Sequence, residues 1–90
     1  MIRKILVVRN KLGLHGRAAG KFMRIAVRFK SDIKLSRVDR GPAVDGKSIL
    51  EILTLAAREG TSLLMTVQGE DEQQAVEALQ SLINSHFGET

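Results

Sequence analysis

The octapeptide Leu12-Gly13-Leu14-His15-Gly16-Arg17-Ala18-Ala19 sets a histidine where a loop passes into the first turn of an expected helix. A helix start leaves its first backbone N–H groups unpaired and carries positive potential, so an anion can sit beside the imidazole. Arg17 adds a planar cationic fork suited to phosphoryl oxygens. A neutral imidazole is a competent nucleophile near neutral pH and can hold a phosphoryl group covalently. Glycines on both sides of His15 let a bulky donor approach the backbone. The chain has no cysteine, and no acid lies close in sequence to orient the ring, so nothing here resembles a catalytic triad. The chemistry suggested is to accept and donate a group while other proteins supply the catalysis. Taken singly, His15 also reads as a polar helix cap and Arg17 as a solvated charge; their combination favours the chemical reading without closing the other.

Two short patterns compete for attention. Gly41–Ser48, "GPAVDGKS", satisfies G-x-x-x-x-G-K-[ST], the phosphate-cradling loop of nucleotide-binding proteins. That loop needs a long buried parallel strand before it, whereas a brief hairpin strand is expected here. Pro42 removes one of the loop's N–H donors. No later apolar strand ends in the aspartate that would hold magnesium, and Thr61–Gln68 contains no acid. Ser48-Ile49-Leu50-Glu51 reads more simply as a capping box, with Gly46 supplying a turn before it. Gly13-Leu14-His15-Gly16 fits the GxxG clamp of KH RNA-binding domains, but that loop joins two helices and this one follows a strand. His86, near the end of the chain with no partner pattern, reads as an exposed surface residue.

The elements that must position His15 follow from periodicity. Ile2–Arg9 reads as a strand, Asn10–Gly13 as a turn, and Gly16–Phe29 as a helix through Ala18, Ala19, Phe22, Ile25, Ala26 and Phe29. Ser31-Asp32 breaks the helix, Ile33–Val38 alternates as a half-exposed strand, and Ala43–Asp45 forms a brief strand. Ser48 to about Ala57 reads as a short helix with Ile49, Ile52, Leu53 and Ala56 on one face, stopped by Gly60. Thr61–Gln68 is a strand with Leu63, Met65 and Val67 on one face. Gly69 opens a last helix whose Glu70-Asp71-Glu72 turn complements the dipole, with Ala75, Val76, Leu79, Leu82, Ile83 and a frayed Phe87 as its stripe. The order is β-α-β-β-α-β-α, with strands two and three as an antiparallel hairpin. An α+β two-layer sandwich results, the helices on one face of the sheet.

Composition bounds the alternatives. Ninety residues, 43% of them apolar, suit one domain spanning residues 1–90. Only three aromatics are present, all phenylalanine, so there is no Trp or Tyr platform for stacking bases, which argues against nucleic acid as a partner. The net charge of +4 suits acidic partners, but its basic residues are scattered rather than clustered. No run approaches the roughly 20 apolar residues of a membrane span, and "MIRKILVVRN" does not read as a secretion signal. A cytoplasmic location is expected.

The segments "NKLGLHGRAAGKF", "GKSILEILTLAAREGT" and "GEDEQQAVEAL" resemble HPr, the histidine phosphocarrier family of the bacterial phosphotransferase system, over nearly the whole chain. "NKLGLH" and "LINSHF" resemble its nitrogen-related branch, NPr, more than the sugar-transport branch. The resemblance implies an open-faced β-sandwich of four antiparallel strands and three helices. It implies that phosphorylated enzyme I passes a phosphoryl group to Nδ1 of His15 and that an enzyme IIA protein receives it. Arg17 would neutralise the phosphoryl charge beside the helix-start amides of Gly16, Arg17 and Ala18. Ser48 matches a serine that HPr kinase/phosphorylase modifies in some bacteria, and Gly20, Ile49 and Leu50 match an apolar docking patch. Leu50 lies off the expected core face and calls for such a reason.

No cofactor, metal or membrane insertion is implied, and a monomer is the simplest expectation. The chain departs from the family's H-x-R-P motif by Ala18 in place of proline, which leaves an additional N–H and a looser first turn. Gly16 adds freedom, and the hairpin at 37–42 carries extra length. Two further readings stand beside the carrier: a regulatory module acting through the Ile49/Leu50 patch and Ser48, and a nucleotide-hydrolysing protein.

Overall fold

Period-two and period-3.6 stretches alternate along the chain, and each pattern folds into the element it favours. In the computed structural model, which describes residues 1–89, the order is β1 (Ile2–Val7), α1 (Gly16–Ala26), β2 (Asp32–Arg37), β3 (Val44–Asp45), α2 (Ile49–Leu53), β4 (Ser62–Gln68) and α3 (Glu72–Asn84). A 3₁₀ turn, His86–Gly88, follows α3. The four strands form one antiparallel sheet in the order β1-β4-β2-β3. β4 lies inside the sheet, with Ile2 opposite Val67 on one side and Ile33 opposite the same residue on the other. The hairpin expected between β2 and β3 is present, pairing Leu35 with Val44.

Leu63, Met65 and Val67 of β4 face the helices and are buried with Ile33 and Leu35 of β2 and Leu6 of β1. Ala18, Ala19, Phe22 and Ala26 of α1, Ile52 of α2 and Ala75, Val76, Leu79 and Ile83 of α3 close this layer from one side. The small side chains of α1 let its backbone lie close to the sheet, while Phe22 and Phe87 fill the largest spaces. The fold is the α+β open sandwich expected. Among the described residues no helix is long and apolar enough to cross a membrane.

Differences from the sequence expectation have local causes. α1 stops at Ala26 rather than Phe29, because Arg28 and Phe29 donate to Ile25 and Ala26 and tighten the chain into three-residue turns. α2 stops at Leu53 rather than Ala57 by the same device, with Leu55 and Ala56 donating to Ile52 and Leu53. The tightening rotates the apolar stripe, so Leu55 and Ala57 are buried where Leu53 and Ala56 were expected; the latter two are exposed. Asp32 belongs to β2, opposite Gln68.

The carboxylate of Asp71, expected at the α3 dipole, accepts instead from the Lys30 and Ser31 amides and from Ser31 Oγ. Ser31's hydroxyl has the largest part in holding that carboxyl below its ordinary range. Phe87 is not frayed but buried, and His86 is half-buried, both in the turn after α3.

Candidate functional site

The loop from β1 to α1 is fixed by close backbone contacts. Gly13 has φ +70°, and a Cβ there would stand 2.6 Å from the Ala57 carbonyl oxygen, so only glycine fits. Leu14 N–H donates to that same carbonyl at 2.8 Å. Asn10, fully buried, donates from Nδ2 to the Gly13 carbonyl at 2.7 Å. The loop therefore delivers His15 in an extended conformation as the N-cap of α1, and its Nδ1 accepts from the Arg17 N–H at 3.3 Å.

The other ring nitrogen meets a residue that sequence reasoning missed. Nε2 of His15 lies 2.7 Å from Oε2 of Glu89, which is 74 residues away in the chain. A backbone N–H can only donate and an ionised carboxylate can only accept, so these two partners place the ring proton on Nε2 and the lone pair on Nδ1. Glu89 also accepts from Asn10 Nδ2 at 2.9 Å and from Arg17 Nε at 3.3 Å. Asn10's hydrogen bond is the largest influence holding the Glu89 carboxyl below its ordinary range; burial opposes it, and His15 and Arg17 reinforce it. Asn10 was read only as part of a turn. No sequence signal short of the fold joins it to an acid just after Gly88.

Around the ring the surroundings suit an anion. The first intrahelical bond of α1 runs from Ala19 N–H to His15 C=O, so the Gly16, Arg17 and Ala18 amides precede it. No acid occupies the first turn of α1 to neutralise that end. The Arg17 side chain is 62% exposed and can swing. Beside it opens a concavity of about 460 Å³ lined by Leu12, Arg17, Lys21, Gly88 and Glu89. Among the described residues no group of three His, Asp or Glu side chains is placed to hold a metal.

α2 begins close by. A Cβ built on Gly20 would lie 3.9 Å from Ile49 Cδ1 and 3.3 Å from the Arg24 guanidinium, so α1 and α2 meet there. Gly20 itself is buried and Ile49 half-buried, whereas Leu50 is 78% exposed. Ser48 caps α2, its Oγ accepting from Glu51 N–H at 3.3 Å. The reciprocal half of the capping box differs from expectation: Glu51 reaches past Ser48 to the Asp45 N–H at 3.1 Å.

The phosphate-loop letters have other occupations. Lys47 donates from Nζ to the Phe29 carbonyl at 2.8 Å, tying α2's entry to the end of α1. Gly46 lies in the turn expected of it and is also required by packing, since a Cβ would meet Ile33 at 2.7 Å and Phe22 at 3.2 Å. The strand before it has two residues.

The family model for the HPr component phosphorylation site of the phosphotransferase system matches residues 2–85. The chain is 43% identical over 89 residues to the phosphocarrier protein HPr of Neisseria meningitidis, covering 99% of this chain and 98% of that one. Among solved structures, HPr of Thermoanaerobacter tengcongensis superposes with a TM-score of 0.92 at 36% identity, covering 100% of this chain and 99% of the other. Crh of Bacillus subtilis, solved as a domain-swapped dimer, superposes at 0.74 with 38% identity, covering 96% and 97%. A histidine at a helix start on this sheet, matched along almost its full length to these proteins, identifies the chain as a member of the HPr family of phosphocarriers of the phosphotransferase system.

Proposed function

We propose that this chain carries a phosphoryl group on Nδ1 of His15, receiving it from phosphorylated enzyme I and passing it to an enzyme IIA-type protein. The observation that supports this reading most is the division of labour on the ring: Nε2 faces Glu89, and Nδ1 faces the amide end of α1 with its lone pair. In acceptance the donor's phosphorus–nitrogen bond breaks, its electron pair stays on the donor ring, and the His15 Nδ1 pair forms the new bond. The Arg17 N–H that meets the lone pair at rest is then free to meet a phosphoryl oxygen, joined by the Gly16 and Ala18 amides and the guanidinium. Donation reverses these steps.

The chain would act as a carrier rather than a catalyst, as one domain over residues 1–90, in the cytoplasm and without nucleic acid. Transfer between monomers is the simplest stoichiometry, although Crh is a dimer in its solved structure. Leu50, exposed and next in the chain to Ile49, which meets Gly20 where α1 and α2 touch, would dock these partners. Ser48, at the edge of that surface, would be the target of an HPr kinase/phosphorylase, whose phosphate adds roughly two negative charges where partners approach. The "NKLGLH" and "LINSHF" segments favour an acceptor of the nitrogen-related branch.

The test incubates the protein with enzyme I and phosphoenolpyruvate. An acid-labile phosphate should form and be absent from His15→Ala. A wild-type chain that stays unlabelled with a competent donor would refute the carrier reading and leave the regulatory module, whose partner binding His15→Ala should spare.

A further inference from the structure

We infer that Arg37 is a positioning residue for His15, acting through the left-handed turn at the exit of α2 on which the histidine loop rests. The inference builds on the carrier reading above, because its kinetic arm measures phosphoryl transfer.

Arg37 ends β2. By strand alternation it follows Ile33 and Leu35 onto the helix-facing side of the sheet, and only 16% of its side chain is exposed. There its guanidinium serves two segments at once. Nη1 donates to the Leu55 and Ala56 carbonyls, each at 3.1 Å. Nε and Nη2 donate to the two carboxylate oxygens of Asp39 at 2.9 and 3.1 Å, which fixes the plane of the fork. Carbonyls beyond the last turn of a helix have no partner within it and carry negative potential, so a cation reaching in from a neighbouring strand can cap them.

What this cap holds is strained. Ala56 has φ +50°, in the left-handed region, without being a glycine. That conformation costs an ordinary residue about 1–2 kcal/mol and persists where its surroundings overdetermine it. Arg37 bonds the carbonyl of the strained residue itself and that of the residue before it, while Leu55 and Ala57 are buried on either side.

Just beyond, the Ala57 carbonyl receives the Leu14 N–H at 2.8 Å and is the group that excludes a Cβ at Gly13. Its direction is set by the backbone of Ala56 and Ala57. Downstream, the Gly60 N–H donates to the Val8 carbonyl at 2.8 Å and ties the segment to the exit of β1. Arg37 is the corresponding tie upstream. His15, next in the chain to Leu14, is therefore seated on a turn clamped at both ends. Without the fork, Ala56 relaxes toward a right-handed conformation, the Ala57 carbonyl turns from Leu14, and the ring loses its fixed place against the amides of α1.

The test is Arg37→Met, which keeps the apolar stem and removes the fork. Its rescue is Ala56→Gly, because glycine adopts the left-handed conformation without a clamp. Hydrogen exchange of the unphosphorylated protein needs no donor. In Arg37→Met the Leu14 amide should exchange roughly tenfold faster relative to the Met65 amide of β4, a local opening that leaves the central strand protected. Adding Ala56→Gly should restore most of that protection. At saturating phosphorylated enzyme I, Arg37→Met should transfer roughly tenfold more slowly, less than the 10²-fold that a misplacement of about 1 Å can cost. The half-saturating donor concentration should stay at the wild-type value, and the double variant should recover its rate.

A cation that only attracts an acidic partner would raise the half-saturating concentration and would not be rescued by glycine. A residue that only stabilises the fold would speed Leu14 and Met65 exchange alike. Either result, or wild-type transfer in Arg37→Met, would overturn the inference. A wild type that accepts no phosphate would instead strike the carrier reading, and the exchange ratio would still decide whether Arg37 clamps the turn.

Discussion

Two helix starts in this molecule face the same electrostatic problem and meet it in opposite ways. α2 closes its own end: Ser48 Oγ takes the Glu51 amide, and the Glu51 carboxylate in the first turn reaches back to the Asp45 amide. α1 does not. Its N-cap is the His15 ring, its first turn contains no acid, and the acid that meets the ring arrives from the far end of the chain. A self-satisfied start has little left to offer a ligand. A start whose counter-charge meets the other side of the ring is closed by a single cap bond, Arg17 N–H to Nδ1 at 3.3 Å. The contrast explains why "GPAVDGKS" matches phosphate-binding letters without phosphate-binding geometry: Lys47 is tied to the Phe29 carbonyl and Ser48 is engaged in closing α2.

The sharpest way to break this comparison is to remove each cap. His15→Ala should abolish acid-labile phosphate, whereas Ser48→Ala should label at the wild-type level; equal loss in both would erase the distinction. Next in size, Arg17→Ala should slow transfer by roughly 10²-fold, the usual effect of removing one preorganised donor, while Glu51→Ala in the first turn of α2 should leave the rate unchanged. Stopped-flow or quench measurements of transfer read both.

Stability gives smaller effects. Gly13→Ala should cost about 1–2 kcal/mol from left-handed backbone alone, with more from the clash with Ala57, and should slow transfer because His15 loses its seat. Ser48→Ala should cost about 1 kcal/mol, a typical cap loss, with no change in transfer. Thermal melts of the two variants separate a loop that positions chemistry from a cap that only holds a helix.

The smallest expected effect concerns acid. The Asp71 and Glu89 carboxyls are both held below their ordinary range, Asp71 first by Ser31 and Glu89 first by Asn10. Their stabilisation is therefore complete above the ordinary carboxylate range and is lost as pH falls through their lowered folded values. Melting temperature should decline on acidification through that window, less steeply in Asp71→Asn. A wild-type melting temperature that rose there would contradict both assignments.

Much of the fold was legible because its signals are local. The alternation of Leu63, Met65 and Val67 and the spacing of Ala18, Ala19, Phe22 and Ala26 appear in the structure as read. The ends of α1 and α2 were misread by three or four residues, since tightening into 3₁₀ turns leaves no mark on apolar spacing. At the site, His15 and Arg17 announced themselves by residue type and proximity to a helix start. Asn10 and Glu89 did not, because an amide in a turn and an acid near the chain's end are each common and unremarked.

What the sequence determined by itself was every feature carried by neighbours within a turn or two: strand and helix identity and the helix caps at His15 and Ser48. Such features follow from backbone conformation and short-range hydrogen bonding, which depend on adjacent residues. The tertiary structure alone decided what the second ring nitrogen meets, by folding a left-handed turn that brings Glu89 across 74 residues to Nε2. Contacts of that kind arise from packing and chain closure, and nothing in the residues beside Glu89 encodes what they will meet.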